Sequence, residues 1–252
     1  MSAAFRRPLF AGNWKMHKTV AEARVLVRAI VARGPCPGAD LVVCPPFTAL
    51  AAVGEELRGS EIALGAQNMH EAPCGPFTGE ISAAMLCELG VRYVILGHSE
   101  RREYFNETDA AVARKVRAAL DAGLVPIVAV GETAAEHAAG AAVAKVTAQT
   151  LAAFSAASAQ EIGRCVVAYE PIWAIGTGNV DTPSGADAVI GAIRACVPGL
   201  GEARILYGGS MNADNARALM AEPNIDGGLI GGRSLDGDSF VACVLASEHE
   251  SR

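Results

Sequence analysis

One two-part pattern recurs along the 252 residues of the chain and narrows the folds open to it. A short apolar run ends in Gly, Pro or a polar cluster, and a stretch with helical periodicity follows. The runs are Leu9–Gly12, Leu41–Cys44, Ile62–Ala66, Tyr93–Leu96, Val125–Val130, Cys165–Tyr169, Ile205–Tyr207 and Gly228–Ile230, eight in all. Uninterrupted apolar runs of this length fit strands buried on both faces, as in a parallel sheet. The segments between them carry one apolar face. Val20, Ala23, Val27, Ile30 and Val31 follow the i, i+3, i+7 spacing, and Thr19 with Glu22 fits a capping box that satisfies the free N–H groups of the first turn. Ala186, Val189, Ile190, Ile193 and Val197 repeat the spacing. Strand then helix, eight times, predicts an α/β chain folded as a single (β/α)8 barrel domain over 1–252, with an open doubly wound sheet as the alternative. Thr133–Ala159 is the least legible stretch and reads as one long helix broken near Gly140.

Composition narrows the function. Charged side chains give a net −6 with no basic block, which argues against nucleic acid and anionic membrane as partners. The longest uncharged stretch, Val146–Gln160, is rich in Ser, Thr and Gln and too short to span a bilayer. Seven cysteines without a C-x-x-C spacing, and no leader at the N-terminus, predict free thiols in the cytoplasm. No His, Asp or Glu spacing suggests a metal, and no G-x-G-x-x-G or G-K-[ST] sequence suggests a nucleotide, so no cofactor is expected. Glycine, by contrast, is abundant: 27 residues, clustered at Gly208-Gly209, Gly227-Gly228 and Gly231-Gly232. Such clusters let backbone N–H groups approach an anion, although plain turns use glycine too.

In a barrel the loops after the strands carry the active site. After the first run stand Asn13, Trp14 and Lys15. A lysine there can neutralise an anion in the barrel mouth, the alternative being a solvated surface lysine. After the fourth comes Gly97-His98-Ser99-Glu100-Arg101-Arg102. His98 can polarise a carbonyl or shuttle a proton near neutral pH, with the charged residues behind it holding the loop, or it is a structural histidine satisfied by its neighbours. His17, His70, His137 and His249 have no comparable setting and read as structural. After the sixth run comes Glu170, followed by Pro171-Ile172-Trp173-Ala174-Ile175-Gly176-Thr177-Gly178. Desolvation at a strand end is expected to raise the Glu170 pKa toward the general-base range. The apolar tip between Pro171 and Gly178 reads as a hinged lid that excludes water; the alternative is an ordinary loop with a salt-bridged glutamate. The seventh and eighth runs end in Gly208-Gly209-Ser210 and Gly231-Gly232, where barrels often hold phosphate. Lysine, histidine, strand-end glutamate and a glycine-lined anion pocket suit proton abstraction beside the carbonyl of a small phosphorylated substrate.

The stretches GNWKM, AQNMH, FTGEIS, GHSERR, AYEPIWAIGTG, YGGS and DGGLIGG resemble, in order and over nearly the whole chain, those of the triosephosphate isomerase family. The roles that follow come with the resemblance. It implies interconversion of dihydroxyacetone phosphate and D-glyceraldehyde 3-phosphate through an enediol, a step of glycolysis and gluconeogenesis. Glu170 matches the base, His98 the neutral electrophile and Lys15 the cation that holds substrate and stabilises developing charge. Asn13 lines the same pocket, and the phosphate rests on N–H groups of Gly176, Ser210, Gly231 and Gly232. Glu100 matches a charged neighbour of the site. Gln67–Glu80 resembles the loop by which one subunit enters its neighbour, with Thr78 near the partner's Asn13 and His98, and so implies a homodimer. Three residues depart from the family pattern: Asn179 where lysine commonly ends the lid, Ala129 where cysteine is common, and Arg233 where a small residue is usual. They leave room for an isomerase of a four-carbon ketose phosphate such as erythrulose phosphate. A barrel that binds sugar phosphate without catalysis is a further reading, against which the pair Glu170 and His98 argues.

Overall fold

The computed structural model describes residues 6–174 and 181–247. Eight strands run in chain order: β1 Leu9–Asn13, β2 Asp40–Cys44, β3 Ala63–Ala66, β4 Tyr93–Leu96, β5 Val125–Val130, β6 Val166–Tyr169, β7 Arg204–Tyr207 and β8 Gly227–Ile230. Neighbours pair in parallel, and β8 pairs back onto β1 with Leu9 opposite Gly227, so the sheet closes into a barrel and not into an open doubly wound sheet. Each strand lies within one residue of the run read from the sequence.

Closure explains why the runs look uniformly apolar. Alternate residues of one strand point to opposite faces, and here both faces are dry. Leu9, Ala11, Val42, Cys44, Tyr93, Ile95, Ile127, Val166, Ala168, Leu206 and Leu229 fill the barrel interior. Their neighbours Phe10, Val43, Val94, Leu96, Val128, Val167, Tyr169, Ile205 and Ile230 belong to the outer core between sheet and helices. The helix Val20–Ala32 begins at Thr19, whose side chain and Glu22 form the reciprocal cap. It buries Ala23, Leu26, Val27 and Ile30, whereas Val20 is exposed: as the first helical residue it lies beyond the edge of the packed face. In Pro183–Cys196 the buried residues are Ala186, Ile190 and Ile193, and Val197 ends the helix in extended backbone. The stretch after β5 is three helices, Ala134–Ala138, Ala142–Ala153 and Ala159–Ile162. The first break is at Gly140, whose φ of +69° no continuing helix accommodates.

At the strands' N-terminal end, ion pairs lock the barrel shut. Asp226 binds both Arg6 and Arg194 and accepts the Ile205 N–H, while Asp40 binds Arg7 and Arg204. This end serves stability, and the opposite end is left to function.

Candidate active site

At the strands' C-terminal end lies a cavity of about 530 Å³ lined by Asn13, Lys15, His98, Glu170, Gly208-Gly209-Ser210 and Gly231-Gly232-Arg233. Five separate strand ends deliver these residues. Gly176, with Ile175, Thr177, Gly178 and Asn179 of the expected lid, lies outside the described residues.

Lys15 has an unusual backbone. Its φ of 53° falls in the left-handed region, a conformation that costs a non-glycine residue on the order of 1–3 kcal/mol. The strain is held by one neighbour close in sequence and one distant. The Lys15 N–H donates to Asn13 Oδ1 at 3.1 Å, and Gln67 Nε2 donates to both Lys15 O and Cys44 O at 2.9 Å. The ammonium so aimed binds Glu100 Oε1 at 2.6 Å. Gln67 is a site residue that sequence reasoning placed only in a subunit loop. Its signal was its own side chain: an amide beside the β3 end can serve two carbonyls at once.

His98 caps the short helix Ser99–Phe105. Its Nδ1 accepts the Glu100 N–H at 3.3 Å, which assigns the proton of the neutral ring to Nε2. Nε2 meets Glu170 Oε1 at 2.8 Å, and Glu170 Oε2 accepts the Ser99 N–H at 2.9 Å. The loop itself is anchored from behind. Gly97, at φ +72°, donates its N–H to Glu107 Oε2 and accepts from Arg102 Nε; Glu107 is bound in turn by Lys115 and Arg101. Lys115 also reaches Asn68 at 2.9 Å, so a buried network ties the His98 loop to the loop after β3.

Glu170 is 2% exposed. Backbone crowds it on both sides: a Cβ on Gly131 would lie 1.9 Å from the Glu170 carbonyl oxygen, and one on Gly208 would lie 2.9 Å from its Cγ. Glycines are needed there for close approach. Burial by itself pushes the Glu170 carboxyl up, but His98 opposite, the Ser99 N–H and Lys15 together hold it below the ordinary carboxylate range. The sequence reading expected a rise; the facing imidazole reverses it. Burial likewise pulls His98 down, and the Glu170 carboxylate, with Glu100 adding to it, wins and holds the imidazole above its ordinary value. The pair stabilises its own charged forms only while the two side chains touch.

The cavity wall formed by the loops after β7 and β8 includes glycine backbone and the Ser210 hydroxyl. Ser210 Oγ donates to Ala174 O at 3.0 Å, and Asn215 Nδ2 donates to Ser210 O at 2.9 Å, which fixes the loop after β7. Gly231 sits against the Lys15 side chain, 3.4 Å from Lys15 Cε for a Cβ built there. Arg233 is exposed and stands at the rim of the same cavity. Ala129 lies within β5, buried, its carbonyl accepting from Arg102. Thr78 is exposed on the Gln67–Glu80 loop and is not among the residues that line the cavity.

A strand-end pocket that pairs a buried carboxylate with an imidazole, beside a lysine and a glycine-lined wall, defines a (β/α)8 barrel equipped for acid–base chemistry. Residues 8–247 match the family model described as Triosephosphate isomerase. The chain is 50% identical to the triosephosphate isomerase of Symbiobacterium thermophilum, over 98% of this chain and 100% of that one. It is 52% identical to that of Chloroflexus aurantiacus, over 95% and 98%, and 49% identical to that of Carboxydothermus hydrogenoformans, over 96% and 99%. The chain belongs to the triosephosphate isomerase family.

Proposed function

We propose that this pocket interconverts dihydroxyacetone phosphate and D-glyceraldehyde 3-phosphate, with Glu170 as the base, His98 as the electrophile and Lys15 as the charge stabiliser. The facing of Glu170 and His98 over a cavity that ends in glycine backbone carries the reading. Glu170 takes a proton from the carbon beside the carbonyl, and the electron pair moves to the carbonyl oxygen as the enediol forms. His98 Nε2–H gives its proton to that oxygen and takes back the proton of the neighbouring hydroxyl, while the proton on Glu170 passes to the former carbonyl carbon, so the carbonyl is re-formed on the other carbon and both side chains return to their starting states. A substrate that separates the pair removes the largest influence that raises His98 and leaves burial and Lys15 against Glu100 alone, which shifts the ring toward its neutral form when it must donate. Lys15 offsets negative charge as it develops, and preorganisation by Asn13 and Gln67 means that no reorganisation is needed at that moment. The phosphate dianion sits on the N–H groups of Ser210, Gly231 and Gly232, with Gly176 as the fourth partner.

We further propose a homodimer through the Gln67–Glu80 loop, residues 1–252 forming one barrel domain in each subunit. The loop has internal order, since Ala72 N–H donates to His70 Nδ1 and His70 stacks on Phe77 at 4.1 Å, yet Phe77 is exposed. Met16, next to Lys15, is 96% exposed. Apolar side chains displayed beside a strained catalytic lysine support a partner subunit that covers them. Among the described residues no helix is long and apolar enough to cross a membrane.

A coupled assay tests the activity. Turnover of glyceraldehyde 3-phosphate, well above that of erythrulose phosphate under the same conditions, is the expected result. Preference for the four-carbon ketose, or binding of both without turnover, would overturn the reading.

A further inference from the structure

A second buried carboxylate lies behind the first. Glu132, fully buried, follows the Gly131 that presses on Glu170. Its carbonyl accepts the Ile172 N–H at 3.2 Å, and its Oε1 accepts from Tyr169 Oη at 3.1 Å and from Trp173 Nε1 at 2.7 Å. Glu132 therefore grips the chain on both sides of Glu170: the residue before it and the turn of 3-10 helix Ile172–Ala174 after it. A carboxylate in that position is costly without a counter-charge. Among the described residues, the one cationisable side chain within ion-pair distance is His137, whose Nδ1 is 3.4 Å from Glu132 Oε1. The same imidazole stacks on Trp173 with ring centroids 4.3 Å apart and planes 34° from parallel. Asp181 is the other acid that feels this ring, its carboxyl raised by burial with His137 opposing.

We propose that His137 is a positioning residue: seated on Trp173 and against Glu132, it completes the brace that fixes the turn after Glu170 and thereby the Glu170 carboxylate. The proposal rests on Glu170 being the base. His137 reaches no substrate itself; it acts through the carboxylate and the indole that hold the 169–174 segment. Its side chain is half exposed, so its replacement leaves the core intact.

Two variants and one spectrum test it. His137→Ala is expected to lower kcat by about ten- to a hundredfold, the size of effect that follows from displacing a reacting group by up to about 1 Å, with KM within about twofold. His137→Arg supplies a side chain that can both pair with Glu132 and stack on indole, and is expected to bring kcat back to within about threefold of wild type. In substrate-free protein the Trp173 indole N–H resonance should move in His137→Ala and stay near its wild-type position in His137→Arg. An unchanged kcat in His137→Ala, or an Arg variant as slow as Ala, overturns the proposal. Wild-type protein that fails to turn over triose phosphate would defeat the proposed function instead, and the indole spectra would still report on the brace.

Discussion

At the scale of single residues, geometry separates Glu170 from an ordinary buried acid. Its reach is fixed by glycines 131 and 208 on either flank, so a shorter side chain cannot be carried forward by the backbone. Glu170→Asp keeps the acid and withdraws it by about one methylene, and is expected to lower kcat by roughly two to three orders of magnitude with KM within a few-fold. Steady-state constants decide this: an unchanged kcat would remove Glu170 as the base, and a rise in KM alone would make it a binding group. A second outcome concerns charge. The carboxylate raises the His98 pKa and burial lowers it, so Glu170→Gln should shift the His98 titration midpoint downward from its wild-type value. Imidazole nitrogen shifts followed by NMR across pH would show it, and an unmoved midpoint would mean that Glu170 is not the source.

At the scale of elements, the His98 loop depends on charges it does not contain. Lys115, on the helix Asp109–Asp121, pairs with Glu107 and Asn68 beneath it, and both ions are buried. Lys115→Met removes one charge and leaves the other, a change expected to cost about 3–5 kcal/mol at neutral pH. The pH dependence gives a sharper check. In the wild type, burial pushes Glu107 up, but Lys115 and Arg101 outweigh it and hold its pKa below the ordinary value. Its contribution is therefore complete above the unfolded-state value near 4.3 and disappears as pH falls through the folded one. Without Lys115 the largest opposing influence is gone and only Arg101 works against burial, so the Glu107 pKa rises from its wild-type position. The stability gap between wild type and Lys115→Met should then narrow on acidification, read from urea midpoints at pH 7 and pH 4. A gap that widens would show that the pair is not the source of the loss.

At the scale of the whole molecule, the proposed homodimer turns on a surface that one chain leaves exposed. Lys15 is strained, its backbone carbonyl is held by Gln67 at the root of the Gln67–Glu80 loop, and Met16 beside it projects outward. If the proposed homodimer forms through this loop, shortening it between His70 and Glu80 is expected to give a monomer with turnover lowered by at least tenfold, because Lys15 and His98 would lose the cover of the second subunit. Light scattering and kcat on one sample settle it. An intact protein that is monomeric at micromolar concentration would defeat the homodimer reading.

Much of this was written locally in the chain. Strand positions, the Thr19 cap and the break at Gly140 follow from apolar periodicity and from single residues whose backbone preferences act over a few positions, so they are legible in the sequence. The identities of Lys15, His98 and Glu170 were legible because each follows an apolar run, and barrel closure sends every such end to one mouth. Other features are set by neighbours that only folding supplies. The sign of the Glu170 shift depends on His98, which lies far away in sequence and 2.8 Å away in space. The part played by Gln67 depends on β1 and β2 ending beside β3, and Lys15 keeps its backbone strain because that contact exists. His137 read as structural because its partners, Glu132 and Trp173, belong to two different strand ends. Hydrophobic periodicity records which side of an element is dry, and that much survives in one dimension. Charge balance, desolvation and strain are sums over atoms brought together by the barrel, and those the tertiary structure alone decided.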